Sequence, residues 1–193
     1  MKYKFCPICG RGLEEKYSWD EGGVPYCCHD DMMFFDIPKP CIMVAVIKED
    51  EILLLKQSYI YENSKVLLTG YVGNNETAEE AVYREVKEEA GIDIKNIEYL
   101  GSDYVKNKEI LMITFMAEYV SGEIQKSCEV EGMGWTKLSK ALEEMKEDVI
   151  GTKVVKNALK KLNNEKVLSH NKKLRMNNKK LMKKLPKEFL ERS

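Results

Sequence analysis

The chain has 193 residues, of which 33% are charged, and its formal net charge is −1. This length suits one medium domain with a small appendage, and the balanced charge excludes an overall bias toward nucleic acid or membrane. The N-terminus lacks the apolar stretch of a signal peptide, and the longest apolar run, residues 41–47, is too short to cross a membrane. We therefore expect a cytoplasmic protein without a membrane partner.

Three parts follow one another along the chain, at residues 1–37, 38–162 and 163–193. Four of the six cysteines lie in the first part, and two of them, Cys6 and Cys9, form a Cys-x-x-Cys pair. Without a secretory signal, metal binding is a better interpretation of this cluster than disulfide bonding.

The second part alternates predicted strands with predicted helices, which indicates a mixed α/β sandwich. Apolar segments at 41–47 and 52–56, joined by four charged residues, predict a hairpin. Thr77 and Glu80 predict a capping box at the start of a helix over 77–90, and Gly91 predicts its end. The other predicted elements are strands at 66–72, 97–105 and 110–120, a strand ending near Trp135, and helices at 139–146 and 152–162.

The third part is basic, with ten Lys or Arg residues against three Glu. Leucines between the lysines allow a basic amphipathic helix, which would suit RNA, an acidic partner or a second copy of the chain. A solvated C-terminal helix without a dedicated ligand explains the same pattern, and we favour that interpretation.

Three glutamates, Glu85, Glu88 and Glu89, stand at i, i+3 and i+4 and therefore share one face of the predicted helix. Clustered carboxylates repel one another unless a cation lies among them, and hard oxygen ligands suit Mg²⁺ or Mn²⁺. A solvated acidic helix face is the alternative that these three residues alone leave open.

The wider pattern resembles the Nudix box, G-x5-E-x7-R-E-U-x-E-E-x-G-U, in which U is a bulky aliphatic residue. All nine defined positions match within 23 residues, and the order of loop and helix fits the context that the motif needs. The matching residues are Gly70, Glu76, Arg84, Glu85, Val86, Glu88, Glu89, Gly91 and Ile92.

The resemblance implies a Nudix α/β/α sandwich around a mixed sheet, with a zinc-ribbon-like module before it. It also implies a hydrolase that depends on Mg²⁺ or Mn²⁺ and cleaves the diphosphate linkage of a nucleotide derivative. By resemblance, Glu85, Glu88 and Glu89 bind the metal, and the carbonyl oxygen of Thr69 is a further ligand.

Four other positions of the box have structural roles by the same resemblance. Glu76 and Arg84 would form an ion pair that holds the loop against the helix, and an arginine among so many carboxylates needs such a partner. Gly70 and Gly91 would have conformational rather than chemical roles.

Within this family the chain resembles NADH pyrophosphatases that carry a zinc ribbon. By that resemblance Glu129 is a metal ligand or a base, whereas on chemistry alone it is one solvated residue in an acidic loop. Gly151 and Thr152 would approach the nucleotide at a helix N-terminus, or they only begin a helix. The resembling segments are Cys6-Pro-Ile-Cys9-Gly10, Gly23-Val-Pro25-Tyr26-Cys27, Phe34-Phe35, Glu129 six residues before Trp135, and Gly151-Thr152.

The nicotinamide-nucleotide signature of that family, S-Q-P-W, is replaced here by Ser102-Asp103-Tyr104-Val105. By resemblance a dinucleotide like NADH or NAD is the first expected substrate. Because the signature is missing, nucleotide sugars, ADP-ribose, dinucleoside polyphosphates, capped RNA and oxidised nucleoside triphosphates are alternatives. Tyr104 would stack on a nucleotide base, or it packs on a neighbour in its strand.

The ribbon also departs from the family, because Asp30 stands where a fourth cysteine is expected. Three thiols, from Cys6, Cys9 and Cys27, form most of a Zn²⁺ site, and Asp30 or His29 would complete the tetrahedron. A ribbon that has lost its metal and persists by packing is the alternative.

The sequence thus predicts metal-dependent hydrolysis of a small nucleotide substrate, with Glu88, Glu89 and Glu129 as catalytic residues. Glu88 or Glu129 would accept a proton from the attacking water. A homodimer is expected by resemblance. A nucleotide sensor without enzyme activity is the competing hypothesis, although such a sensor has no need for a complete set of box carboxylates.

Overall fold

The computed structural model of the protein describes residues 3–127 and 130–182. Two compact units are present: one is built from the described parts of residues 1–39 and 105–111, and the other from those of residues 40–104 and 112–193. None of the described helices combines the length and the apolar composition that a membrane crossing needs.

The first unit contains a three-stranded antiparallel sheet in the order β1–β2–β3. A loop before the sheet is closed by a bridge between Phe5 and Gly12 and by a hydrogen bond from the Cys6 amide to the Arg11 carbonyl, at 2.7 Å. Few apolar side chains are buried in this unit, so its core is small. The strands are β1 (Glu14–Ser18), β2 (Gly22–Cys27) and β3 (Met32–Met33).

The second unit is organised around a seven-stranded sheet with the strand order β10–β5–β4–β9–β8, in which β6 also pairs with β5 and β7 with β4. Its helices are α1 (Ala78–Ala90), α2 (Leu138–Glu144) and α3 (Val149–Met182). Its strands are β4 (Lys39–Lys48), β5 (Glu51–Lys56), β6 (Lys65–Val66), β7 (Leu68–Tyr71), β8 (Asp93–Val105), β9 (Ile110–Ser121) and β10 (Gly132–Lys137).

The central strand β4 shows why the sheet needs cover on both faces. All seven residues from 41 to 47 are buried, and successive side chains of a strand point to opposite faces. Ile42, Val44 and Val46 belong to one core cluster with Val82 and Val86 of α1. On α3, Val154, Val155 and Ala158 are buried as well.

Most predicted elements are confirmed, although the strand expected from 97 begins at Asp93, the helix expected over 139–146 is α2, and two further elements differ more clearly. The hairpin of β4 and β5 forms with Ile47 opposite Ile52. The single strand expected over 66–72 is two short strands, because β6 pairs with β5 whereas β7 pairs with β4. The helix expected from 152 begins at Val149 and continues without interruption to Met182.

Candidate functional site

The helix α1 is fixed at both ends by the residues that the sequence indicated. The Thr77 hydroxyl accepts a hydrogen bond from the Glu80 amide at 3.2 Å, and the Glu80 carboxylate accepts one from the Thr77 amide at 2.7 Å. Gly91 ends the helix with a left-handed φ of 72°, and its amide donates to the Lys87 carbonyl. The predicted capping box and glycine stop are therefore confirmed, and the register of the glutamates on α1 follows from them.

Arg84 is the centre of the charged face of α1. Its guanidinium donates two hydrogen bonds to Glu76, at 2.6 and 3.0 Å, so the ion pair predicted from the sequence is present. The same guanidinium donates to Glu85 at 2.7 Å and to Glu88 at 3.1 Å, and to the Tyr71 carbonyl at 3.0 Å. Arg84 thus contacts three carboxylates, whereas the sequence predicted its contact with Glu76 alone.

These contacts perturb the ionisation of both partners in the pair. Hydrogen bonds from Arg84, and then one from the Gly73 amide, lower the pKa of Glu76 from 4.5 to about 2. The carboxylates, Glu76 first and Glu85 next, raise the pKa of Arg84. Both groups are therefore charged across the whole physiological pH range.

Gly70 lies in β7, directly against the side chain of Glu85. A β-carbon at Gly70 would lie 2.0 Å from Cδ of Glu85 and 2.2 Å from its Oε1. The sequence predicted a conformational role for both box glycines, and Gly91 has the positive φ that such a role requires. At Gly70 the requirement is for space, because the Glu85 carboxylate occupies the volume that a side chain at this position would fill. Thr69, the residue before it, pairs with Met43 of β4.

The end of α1 is bound to the segment that follows β9. The carbonyl of Glu89 accepts a hydrogen bond from the Ser127 amide at 3.1 Å, and that of Ala90 accepts one from the Gln125 amide at 2.9 Å. One carboxylate oxygen of Glu89 is itself buried. Glu129, which the sequence proposed as a metal ligand, lies outside the described residues.

Glu131 was not identified from the sequence, yet the structure gives it specific contacts. Its carboxylate accepts hydrogen bonds from the amide of Ser58, at 3.1 Å, and from the Ser58 hydroxyl. Its own amide donates to the Lys56 carbonyl at 3.2 Å. Donation from Ser58 lowers the pKa of Glu131. Because 73 residues separate Ser58 from Glu131, no local spacing could have indicated this contact.

The substrate-binding residues expected from the sequence lie on two elements that an ion pair joins. Lys153 of α3 contacts Asp103 of β8 at 2.5 Å, so the residues next to them, Thr152 and Tyr104, belong to adjoining segments. Tyr104 is 55% exposed, which leaves much of its ring accessible. The Thr152 hydroxyl donates to the carbonyl of Val149 at 3.0 Å.

Gly151 does not begin a helix, which corrects the interpretation of this residue. The helix starts two residues earlier, and the Gly151 amide donates to the carboxylate of buried Asp148 at 2.8 Å. A β-carbon at Gly151 would lie 2.2 Å from that carboxylate. Asp148 therefore caps α3, and burial raises its pKa.

A second cluster of candidate ligands lies in the first unit. One ligand atom from each of Cys6, Cys9, Cys27 and Asp30 lies within 4.8 Å of all the others. The Asp30 carboxylate accepts hydrogen bonds from the thiols of Cys6, at 3.0 Å, and Cys27, at 3.1 Å. His29 instead contacts the second oxygen of Asp30. Of the two candidates for a fourth ligand, Asp30 is the one whose carboxylate oxygen accepts hydrogen bonds from the thiols of Cys6 and Cys27.

Two thiols of the cluster, those of Cys9 and Cys27, have raised pKa values. The hydrogen bond to Asp30 raises the pKa of Cys9 to about 12, and burial raises that of Cys27. Hydrogen bonds from the thiols, that of Cys9 first, lower the pKa of Asp30. A metal ion that bound three thiolates here would have to displace these protons.

Comparison with protein-family models gives one match, which lies largely in the second unit. A model described as NUDIX domain matches residues 38–156. This range begins one residue before β4 and ends within α3. It contains the whole of α1 and every strand of the seven-stranded sheet.

Curated proteins with similar sequences are described as NAD-capped RNA hydrolase NudC. Those of Salmonella heidelberg and Salmonella agona are each 40% identical over 123 residues, which is 63% of this chain and 46% of the relative. The chain thus spans about half the length of the curated relatives that it matches.

Solved structures provide a likeness of fold. A NUDIX hydrolase from Nitrosomonas europaea aligns with a TM-score of 0.66 and 19% identity, over 81% of this chain and 88% of that one. A structure described as UDP-X diphosphatase aligns with a TM-score of 0.57 and 16% identity, over 68% of this chain and 66% of that one. These likenesses confirm the α/β/α fold and mixed sheet that the sequence predicted.

The close approach of Gly70 to Glu85 leads to a testable prediction. In Gly70→Ala the new methyl group collides with the Glu85 carboxylate, which must move away from Arg84. We expect Mn²⁺ to bind on the order of 10-fold more weakly than to the wild type, with little change in melting temperature. Electron paramagnetic resonance of free Mn²⁺ would measure the affinity.

The matched control is Gly134→Ala, because a β-carbon at Gly134 meets no atom within 4 Å. This variant should bind Mn²⁺ like the wild type. Equal affinity in the two alanine variants would contradict the steric role of Gly70.

The depressed pKa of Glu76 predicts a pH dependence of stability. A carboxylate with a folded-state pKa below its unfolded value stabilises the fold above the unfolded value, and that contribution is lost as the pH falls. For Glu76 the loss occurs between about pH 4.5 and about pH 2. Thermal unfolding across this range should show a steeper decline for the wild type than for Glu76→Gln. Parallel curves would show that the Arg84 contact contributes nothing to stability.

Proposed function

Because the chain belongs to the Nudix family, we propose that it is a hydrolase that cleaves the diphosphate linkage of a nucleoside diphosphate derivative. A dinucleotide like NAD or NADH is the first proposed substrate. The carboxylate face of α1 carries this proposal, since Arg84 holds Glu76, Glu85 and Glu88 around one cation and Glu89 follows on the same face of the helix. The name of the NudC relatives supports a substrate with an NAD moiety.

The residues on α1 suit a divalent cation such as Mg²⁺ or Mn²⁺. Nudix hydrolases use divalent metals, and the donors here are carboxylate oxygens, which such ions prefer. Glu85 and Glu88 both lie within 3.1 Å of one guanidinium nitrogen of Arg84. Two carboxylates that converge on one cationic atom can also converge on a metal ion. Glu85, Glu88, Glu89 and the Thr69 carbonyl are the proposed ligands, together with Glu129.

A divalent ion at these carboxylates would neutralise the diphosphate and lower the pKa of a water molecule. Of the glutamates on α1, Glu88 suits the role of base well, because its side chain is 59% exposed whereas that of Glu85 is 13% exposed. Glu88 or Glu129 would accept the proton of the attacking water. Arg84, held by Glu76, would keep the remaining carboxylates in place.

The contacts of the segment after β9 support a role for Glu129 in the same site. The Ser127 amide is bonded to the carbonyl of Glu89, and Glu129 follows two residues later. Two residues of extended chain span at most about 7 Å. This attachment of Ser127 supports the proposal that Glu129 is a further ligand in the same site.

Substrate recognition is proposed for the adjoining segments of β8 and α3. The exposed ring of Tyr104 would stack on a nucleotide base, and Thr152 belongs to the segment of α3 that the ion pair of Asp103 and Lys153 joins to β8. Gly151 would contribute indirectly, because its lack of a side chain leaves room for the Asp148 carboxylate that caps α3. ADP-ribose, a nucleotide sugar or a capped RNA end would meet the same groups, since all of them present a base and a diphosphate.

We also propose a structural Zn²⁺ ion in the first unit, bound by Cys6, Cys9, Cys27 and Asp30. Three thiolates and one carboxylate are a donor set that tetrahedral zinc accepts, and the four ligand atoms already lie within 4.8 Å of one another. Zinc would also compensate for the small core of this unit, because its binding energy contributes directly to folding.

The proposed organisation keeps the three parts that the sequence indicated. Residues 1–37 form a zinc-ribbon-like module, residues 38–162 form the hydrolase domain, and residues 163–193 form a basic extension. A homodimer is proposed on resemblance alone, and the cytoplasmic location expected from the sequence stays a prediction.

Turnover of a substrate panel tests the proposed activity. NADH, NAD, ADP-ribose, nucleotide sugars, dinucleoside polyphosphates and capped RNA would be offered with Mg²⁺ or Mn²⁺. We expect hydrolysis by the wild type and a loss on the order of 100-fold or more in Glu89→Gln, which keeps the size of the side chain but removes its charge. Glu79→Gln, an exposed position in the first turn of α1, is the control and should retain full activity.

One result would contradict the proposed role of Glu89, and another would contradict the proposed activity. Normal turnover by Glu89→Gln would exclude Glu89 from the chemistry. A wild-type protein that is inactive on every substrate and binds the nucleotides unchanged would favour a sensor over an enzyme.

The zinc site is tested by the metal content of the purified protein. We expect about one Zn²⁺ per chain by mass spectrometry, a reduced content in Asp30→Ala, and full content in Asp30→Cys, which supplies a fourth thiolate. The affinity of Asp30→Ala should fall on the order of 10-fold or more. Asp36→Ala, an exposed carboxylate in the same unit, is the control. Full zinc in Asp30→Ala would show that Asp30 is not a ligand.

A further inference from the structure

The carboxylate proposed as the fourth zinc ligand comes from the turn of a hairpin in the first unit. The strands β2 and β3 pair with Cys27 opposite Met32, so residues 28–31 form the turn that connects them. Cys27 ends β2, and Asp30 lies in the turn. Oδ2 of Asp30 accepts hydrogen bonds from the thiols of Cys6 and Cys27. The turn therefore has to hold this side chain toward the sulfurs.

The backbone of the turn is restrained on both sides of Asp30. Cys27 before it belongs to a paired strand. Asp31 after it has a left-handed φ of 50°, and its carboxylate accepts a hydrogen bond from the Tyr26 hydroxyl at 2.6 Å. The Lys16 ammonium lies 3.9 Å from the centre of the Tyr26 ring and 3.8 Å from the Asp31 carboxylate. These contacts place the backbone of Asp30, and the direction of its carboxylate is left to the side chain.

His29 contacts the oxygen of Asp30 that does not face the sulfurs. Nδ1 of His29 lies 3.0 Å from Oδ1 of Asp30, whereas the two thiols donate to Oδ2. A carboxylate that binds a metal is ionised and only accepts hydrogen bonds, so Nδ1 of His29 is the donor. The side chain of His29 is 47% exposed and that of Asp30 is 15% exposed. The imidazole thus lies on the solvent side of the carboxylate.

A carboxylate ligand has more need of such a partner than a thiolate has. A cysteine offers the metal one sulfur, whereas an aspartate offers two oxygens, and the torsion that turns its carboxylate is broad. A hydrogen bond to one oxygen restricts this rotation and leaves the other oxygen for the metal. Because a hydrogen bond at a half-exposed site adds little stability, its main effect is on the direction of the carboxylate.

We propose that His29 is a positioning residue of the zinc site, whose Nδ1 holds Oδ1 of Asp30 so that Oδ2 faces the metal beside the three sulfurs. This inference rests on the zinc ion proposed above, and it gives His29 a role other than that of a ligand. His29 and Asp30 together take the place of a fourth cysteine. The imidazole acts on the metal through the carboxylate, as is common for groups that hydrogen-bond to metal ligands.

The affinity for Zn²⁺, measured on the full chain by competition with a chromophoric chelator, tests the proposal. In His29→Ala we expect the dissociation constant to rise on the order of 10-fold, with an unchanged melting temperature of the metal-free protein. His29→Asn carries an amide N–H donor where the imidazole has Nδ1, and it should restore the affinity to within about twofold of the wild type. The control is Ser18→Ala, which removes an exposed hydrogen bond to the carboxylate of Asp20 in the same unit and should leave the affinity unchanged.

A double-variant comparison shows whether the effect passes through Asp30. In Asp30→Cys the fourth ligand is a single sulfur, which has no second atom to orient, so His29→Ala should have no further effect on the affinity there. The absorption spectrum with Co²⁺ in place of Zn²⁺ reports the donor set. At saturating Co²⁺, His29→Ala should keep the band positions and intensities of the wild type, because it loses no ligand.

Four results would overturn the proposal. Equal Zn²⁺ affinity of His29→Ala and the wild type would exclude the positioning role, and an equally large loss in the Asp30→Cys background would show that the effect does not pass through the carboxylate. Failure of His29→Asn to restore the affinity, together with a changed Co²⁺ spectrum in His29→Ala, would make His29 a ligand. A wild-type protein that binds no Zn²⁺ would remove the proposed zinc site as well. If Asp30→Ala loses zinc while His29→Ala retains it at full affinity, the site stands and the role of His29 alone is contradicted.

Discussion

The candidate site depends on one guanidinium among carboxylates. Glu85, Glu88 and Glu89 share a helix face, and such a cluster is unfavourable without a compensating positive charge. Arg84 supplies that charge to Glu85 and Glu88 while Glu76 holds the guanidinium by two hydrogen bonds. The depressed pKa of Glu76 shows that this carboxylate stays ionised. Glu76, Glu85 and Glu88 therefore form a network through their shared neighbour Arg84.

The surrounding structure keeps this network in place. Caps at Thr77 and Gly91 fix the length and register of α1, and buried Val82 and Val86 fix its rotation against the sheet. The strand β7 approaches closely because Gly70 has no side chain. The segment after β9 is bonded to the last turn of the helix. Each of these contacts restrains the helix or a residue beside it, while the side chain of Glu88 stays exposed.

The sequence predicted α1 well because its signals are local. Thr77, Glu80 and Gly91 are caps whose geometry depends on their near neighbours, and the glutamates follow from helical spacing. The start of α3 was misplaced, because Asp148 is a cap that looks like one acidic residue among several. The contact of Ser58 with Glu131 could not be predicted at all, since it depends on how β5 and β10 pair. In the first unit the residue types suggested Asp30 or His29, and only the folded loop shows which side chain faces the sulfurs.

Two carboxylate contacts of the second unit differ greatly in the length of chain that they close. Arg84 and Glu76 are 8 residues apart, whereas Ser58 and Glu131 are 73 apart. Loop-closure entropy grows with the logarithm of this length, so the longer closure costs roughly 2 kcal/mol more. The contact of Arg84 with Glu76 therefore needs only α1 and the loop before it, whereas the contact of Ser58 with Glu131 needs β5 and β10 to be paired. The charged face of α1 thus depends on local structure, and the Ser58 contact depends on strands that lie far apart in the chain.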